Sequence, residues 1–237
     1  MEENKENLRM MADALSRAIG RLIEAQDQER TRIARELHDD IGASLAVLGI
    51  DLLRAGKPAS DPPGESHPDI QQTYEKLQAI GSRISRLSNQ LQPPMLKYFG
   101  LPKAIEVECR EFSESRKMPV SYSCENFAAK PDPVVALHAL RVVQEALCNV
   151  GKHSHATSVA VNVSSTSTEL TLAVSDNGVG FNVEQTNVAA GLGLISMRER
   201  MRLIGGELEV WSQPGQGVKI SCHAPLIQAG TVQTLHP

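Results

Sequence analysis

Between Glu2 and Arg54 the chain has no proline, so nothing in its first part stops a helix. Apolar residues recur there at helical spacing, at Leu8, Met11, Leu15, Ile19 and Leu22, then at Ile33, Leu37, Ile41, Leu45, Leu48 and Leu52. One long helix is predicted, or two fused end to end. The breakers of "GKPASDPPGESHP", residues 56–68, then call for an exposed turn. In the helix that follows, Ile70, Leu77, Ile84 and Leu91 recur every seven residues, and Ile80 with Leu87 forms a second seam at the same period. Two helices joined by a turn cannot cover their own apolar stripe, and a second copy is the simplest cover. The expectation is a homodimeric four-helix bundle; the alternative is that the stripe packs on the rest of the same chain.

The pattern changes at "QPPML", residues 92–96, where paired prolines end the second helix. Residues 101–116 read as helix, 118–124 as strand and 133–152 as a strongly amphipathic helix. "VAVNV" (159–163) and "LTLAV" (170–174) alternate around a Ser/Thr-rich turn as a strand hairpin, and "ELEVW" and "VKISCHA" are strands around "SQPGQG", preceded by a helix near 193–203. This half is a mixed α/β sandwich with a helical layer on a largely antiparallel sheet. The chain is therefore an α plus α/β protein in two parts.

Several function classes are disfavoured at once. A net charge of −4 with no Lys/Arg block offers little to a phosphate backbone, so direct nucleic-acid binding is not expected. Four widely spaced cysteines suggest neither a zinc site nor disulfides and fit a reducing cytosol. The longest strongly apolar run, residues 43–50, is far short of a membrane span, and the charged N-terminus does not look like a signal peptide. With one tryptophan, three tyrosines and four phenylalanines, the core must be mostly aliphatic.

Chemistry concentrates in the second half. On the 133–152 helix, at about 100° per residue, Leu140, Val143, Leu147 and Val150 share one side while Glu145, Asn149 and Lys152 share the other. A carboxylate, an amide oxygen and an ammonium on one stripe suit a hydrated divalent cation and the phosphates it bridges. Taken alone, the stripe reads as a solvated face. "SDNGVGF", residues 175–181, adds Asp176 as an acceptor for an exocyclic amine, with Gly178 and Gly180 permitting tight turns and close backbone approach. "GLGLISMRER", residues 191–200, places Gly191 and Gly193 at a helix start, where free N–H groups suit an anion. The three in this order are far more specific than any one.

With these residues in view, "QEALCNVGKH", "DNGVGF", "GLGLISMRER" and "GGELEVWSQPGQG" resemble the boxes and closing strands of the ATP-binding domain shared by sensor histidine kinases, gyrase-type ATPases and chaperone ATPases. The resemblance implies a Bergerat-type fold binding ATP and Mg2+. It implies that Asn149, with Glu145 one turn earlier, coordinates magnesium, and that Lys152 and His153 lie near the phosphates. It also implies that Asp176 takes the adenine amine, that Gly191 and Gly193 border a mobile lid at about 182–192, and that Gly178, Gly180 and Leu194 join them in binding the nucleotide. "ERTRIARELHDDIGASL" resembles the phosphoacceptor segment of the nitrate-sensor and membrane-fluidity-sensor group of histidine kinases, and "LQPPMLKYFGLPKAI" that group's connector.

The resemblance makes His38 the phosphorylated residue. A neutral imidazole nitrogen is a competent nucleophile toward the γ-phosphoryl of ATP, and Asp39 is placed to hold the other ring nitrogen and fix its tautomer. His67, His138, His155, His223 and His236 read instead as helix-surface histidines with no role. The family pattern H-D-x-x-x-Q has Ala43 at its last position here, and alanine cannot orient water for partner dephosphorylation, so weak phosphatase activity is expected.

The expected organisation is a signalling coiled-coil helix (1–27), a dimerisation and phosphotransfer hairpin (28–97), a catalytic ATP-binding domain (98–228) and a tail (229–237). The expected function is the cytoplasmic core of a two-component kinase. It would autophosphorylate on His38 and pass the phosphoryl to an aspartate in the receiver domain of a response regulator with a helix-turn-helix output. The upstream sensor, and any membrane anchor of the full-length protein, would lie outside this chain. The rivals are a gyrase- or chaperone-like ATPase and a non-catalytic nucleotide-binding scaffold.

Overall fold

The computed structural model describes residues 2–55, 68–91, 94–183 and 191–226. Residues 56–67 of the expected turn at 56–68, most of the expected lid, the tail, His67 and His236 lie outside the described residues. Residues up to 23 together with those from 95 onward form one compact unit, and residues 24–94 form another.

The proline-free run is helical throughout, as α1 (Glu2–Glu36), a π-helical stretch Leu37–Gly42 and α2 (Ala43–Ala55), and α3 is Pro68–Leu91. The π stretch has a physical reason. Four α-helical residues overshoot a full turn by about 40°, so the spacing Ile33, Leu37, Ile41, Leu45 would carry its stripe around the helix. The wider i→i+5 turn absorbs that drift. α2 packs on α3 closely enough that a methyl on Gly49 would come within 3.2 Å of Leu77 and 3.5 Å of Tyr74. Inside this unit Ser88 is buried and donates its hydroxyl to the Ala34 carbonyl at 2.9 Å.

α4 spans Pro94–Arg116 but is broken at Gly100, whose φ of 81° only glycine adopts cheaply. The turn at 94–99 was not foreseen, while the helix after the break matches the expected 101–116. Then follow β1 (Val120–Phe127), α5 (Pro133–Asn149), a second π-helical stretch (Val150–Ser154), β2 (Val159–Ser165), β3 (Glu169–Asp176), α6 (Leu192–Leu203), β4 (Glu207–Ser212) and β5 (Val218–Pro225). α5 starts where Asp132 accepts from the Val134 N–H at 2.8 Å and Pro133 occupies the first turn.

The sheet order is β1-β2-β3-β5-β4, with β1 parallel to β2 and every other pairing antiparallel. Alternate residues of its central strands, Val161, Val163, Leu170, Leu172, Val174, Ile220 and Cys222, face a helical layer contributing Leu101 and Ile105, Leu140 and Val143, and Met197 and Met201. Each fully buried leucine or isoleucine here is worth roughly 2 kcal/mol. This is the α/β sandwich that the strand and helix periods imply.

Two expectations change. α5 is not one-faced. Arg141 and His138 are buried along with its aliphatic residues, and His138 is not the surface histidine its polarity suggested. α5 with its π continuation is also long and apolar enough to cross a membrane by length and composition, but its buried residues form the centre of this core. Buried Glu199 on α6 accepts from Ser16 at 2.6 Å and pairs with Arg202, and these partners hold its carboxyl below the usual range against the cost of burial.

Candidate nucleotide site

Asp176 ends β3, opposite Val159 of β2 and Val218 of β5. Its Oδ1 accepts the Gly178 N–H at 2.8 Å, and the Val218 backbone, paired with Asp176 across the sheet, also favours the charged form. Desolvation nevertheless dominates and pushes its carboxyl above the ordinary aspartate range.

The loop after Asp176 is held from three directions. Asn177 accepts the N–H groups of Thr157 and Ser158 at 2.9 and 3.0 Å and donates to the Thr157 hydroxyl at 2.8 Å. Val179 N–H bonds the Ser154 carbonyl at 2.8 Å, and Gly215 N–H bonds the Val179 carbonyl at 2.6 Å. A methyl on Gly178 would overlap the Ser154 carbonyl oxygen, and Gly180, at φ 57°, lies against the Gln213 carbonyl. Both glycines are there for close approach, and Gly180 also for its left-handed backbone.

The helix termini complete the site. Gly191 caps α6 without a side-chain bond, leaving first-turn N–H groups available to an anion. Gly193 sits so close to α5 that a methyl would overlap the Glu145 carboxylate and approach the Asn149 amide nitrogen at 3.2 Å. The N-terminus of α6 and the polar stripe of α5, 44 residues apart in sequence from Asn149 to Gly193, are thus brought into contact.

A cavity of about 240 Å³ lies between these elements. Of the residues singled out from sequence, Asn149, His153, Asp176, Gly180, Gly191, Gly193 and Leu194 line it. Glu145 stands behind Gly193 and Gly178 beneath Asp176, whereas exposed Lys152 is not part of the lining. Sequence reasoning missed the apolar walls, among them Ala146, Val150, Val174, Phe181, Val218 and Ile220. The alternation of β3 and β5 held that signal, since Val174 and Ile220 pair directly in the sheet. One acceptor at an apolar base and an anion-ready helix start at the other end suit a flat, amine-bearing ring joined to phosphates. An adjacent carboxylate and amide oxygen also suit magnesium, which keeps several waters and accepts few protein ligands.

In the other unit, His38 and Asp39 both fall in the π-helical stretch, with Asp39 exposed. π-helical turns often mark functional positions. Buried Cys109 and Cys222 carry thiols pushed up to about 12 by burial, which makes them inert.

The sandwich and its cavity define an ATPase class: residues 135–228 match the family described as histidine kinase-, DNA gyrase B- and HSP90-like ATPase, whose members typically bind ATP and Mg2+. Residues 29–96 match the histidine kinase family of the helical region. The chain carries a sensor histidine kinase catalytic core.

It is 35% identical over 205 residues to sensor histidine kinase MctS of Rhizobium johnstonii, covering 84% of this chain and 44% of that protein. It is 31% identical over 208 residues to oxygen sensor histidine kinase NreB of Staphylococcus carnosus, covering 86% and 58%. The chain spans about half the length of these relatives. Among solved structures, the blue-light activated histidine kinase of Erythrobacter litoralis EL346 shares the fold, with a TM-score of 0.50 and 19% identity, over 82% of this chain and 61% of that one.

If the cavity takes adenine through Asp176, affinity depends on pH. A carboxylate accepting from an amine has its pKa lowered on binding, so affinity is full above the raised pKa of the free site and falls as pH drops through it. Titrating ATP at successively lower pH, downward from neutral, should show this loss, and Asp176→Asn should bind weakly with a flat profile.

Proposed function

We propose that this chain autophosphorylates on His38 with ATP bound in the cavity, and passes the phosphoryl group to an aspartate of a response regulator. The observation that carries the reading is the meeting of Asn149, Asp176, Gly191 and Gly193 around one cavity, in a chain whose helical region matches the histidine kinase family. That second match favours a kinase over a clamp-type ATPase.

In this reading Asp176 and the apolar walls take the adenine, and the start of α6 takes the phosphates. Asn149 and Glu145 hold magnesium, which neutralises phosphate charge, and Lys152 and His153 lie beside the phosphates. A neutral ring nitrogen of His38 attacks the terminal phosphorus, the bond to the bridging oxygen breaks, and its electron pair leaves with ADP. Asp39 holds the proton on the other ring nitrogen and stabilises the imidazolium that forms.

The working unit is a homodimer. Ile41, Leu48, Ile80 and Leu87 are exposed in the single chain, which favours a second hairpin as their cover. Signal enters through residues 1–27 from a sensor outside this chain, and the core works in the cytoplasm. The segment around His38 and the connector favour the nitrate-sensor and membrane-fluidity-sensor group, and a regulator with a helix-turn-helix output, so any action on DNA is indirect.

Incubation with γ-labelled ATP and magnesium tests the reading. An acid-labile, alkali-stable phosphoprotein supports it. Release of inorganic phosphate with no phosphoprotein favours the clamp ATPase, and bound nucleotide with neither product favours a scaffold.

Ala43 leaves no side chain to orient water near His38. Dephosphorylation of a phosphorylated regulator should be slow and should rise at least about tenfold in Ala43→Gln, with autophosphorylation kept. Rapid dephosphorylation by the unsubstituted chain would refute this.

A further inference from the structure

Ser212, the last residue of β4, is buried and does not line the cavity. Its hydroxyl accepts the Phe181 N–H at 2.8 Å and donates to the Gly217 carbonyl at 2.8 Å. One side belongs to the loop that follows Asp176, the other to the 213–217 turn between β4 and β5. Both segments reach the cavity wall, through Gly180 and Phe181 on one side and Val218 on the other.

The two segments also flank Asp176. The loop donates the Gly178 N–H to its Oδ1, and Val218, paired across the sheet with both Asp176 and Ser212, begins the strand that leaves the turn. No side chain separates them. Gly180 lies against the Gln213 and Gly217 carbonyls, and Gly217, at φ 72°, lies against the carbonyl of Asp176. A hydroxyl offers one proton and two lone pairs, so Ser212 can bond both segments at once. Removing it would leave a half-buried N–H and a buried carbonyl short of a partner, and groups left so tend to recover water by moving apart.

We propose that Ser212 is a positioning residue for the base end of the nucleotide site: its hydroxyl ties the Gly178–Phe181 loop to the 213–217 turn and so fixes the Asp176 carboxylate where a nucleobase amine would meet it. This rests on the nucleotide reading of the cavity. Because the tie lies at the base end, its loss affects every adenine nucleotide alike and leaves the transfer step alone.

The test uses the full chain with magnesium and titrates ATP and ADP into wild type, Ser212→Ala, Ser212→Thr and Ser165→Ala. Ser165 is a buried serine on β2 that accepts the Ala129 N–H at 3.3 Å and touches none of these segments, so it controls for loss of a buried hydroxyl. Ser212→Ala should weaken ATP and ADP by the same factor, about ten- to thirtyfold. It should raise the KM for ATP in autophosphorylation with kcat within about twofold, and Ser212→Thr should restore affinity. Ser165→Ala should bind both nucleotides as wild type does. Wild-type affinity in Ser212→Ala, a larger loss for ATP than for ADP, or an equal loss in Ser165→Ala would each overturn the proposal. If alanine prevents folding, Ser212→Cys keeps the volume with weaker bonds and must show an intermediate loss; wild-type affinity there overturns it equally. Failure of the wild type to bind either nucleotide would remove the reading of the cavity itself, a result distinct from all the others.

Discussion

His38→Gln is expected to reduce label transferred from γ-labelled ATP into the chain to background, at least about a thousandfold below wild type, while ATP affinity stays within about twofold. Glutamine keeps a polar side chain of similar length and good helix propensity, so α1 and α2 should remain intact. What it lacks is a nucleophilic ring nitrogen. An amide nitrogen has its lone pair delocalised into the carbonyl and cannot displace ADP. Label taken instead by the exposed carboxylate of Asp39 would be an acyl phosphate, which is labile to alkali and so separable from a phosphohistidine. Nucleotide affinity should be preserved because every cavity-lining residue belongs to the other unit. Label retained in His38→Gln, or recovered on another side chain, would remove His38 from its role while leaving the ATP site untouched.

Gly178→Ala is expected to cost at least about a hundredfold in ATP affinity and about 2 kcal/mol in stability of the α/β unit. The added methyl would overlap the Ser154 carbonyl, which is backbone and cannot swing aside. That same carbonyl accepts the Val179 N–H, so relieving the overlap breaks a loop bond. The shift also draws the Gly178 N–H away from Asp176 Oδ1, leaving the carboxylate with one backbone donor fewer in a desolvated place. Gly193 makes an instructive contrast. A methyl there meets the end of the Glu145 side chain, which can rotate, so Gly193→Ala should cost less. Calorimetric titration with ATP and thermal unfolding measure both quantities, and wild-type affinity in Gly178→Ala would mean that this close approach does not position Asp176.

Periodicity and spacing determined much of this protein without any structure. The absence of proline and the apolar period pointed to the helix before residues 56–67, and the seven-residue repeat to the helix after them, where Ile80 and Leu87 are exposed in the single chain. Alternation located the strands, and the Asp-x-Gly-x-Gly and Gly-x-Gly segments named residues that line the cavity, because glycine is retained where backbone must come close. These are local properties, written in neighbouring residues and the geometry of a single element.

Tertiary structure alone decided the rest. Whether His138 and Arg141 are surface or core depends on what packs around α5, which no period within the helix reports. The π-helical turns at Leu37–Gly42 and Val150–Ser154 follow from no local propensity, though the run of fours from Ile33 to Leu45 hinted at the first. The meeting of Glu145 with Gly193, and of Ser212 with Phe181 and Gly217, joins segments whose sequences say nothing of one another. A hydroxyl at the end of a strand has no fixed meaning until the sheet order β3-β5-β4 brings its strand beside the loop it holds.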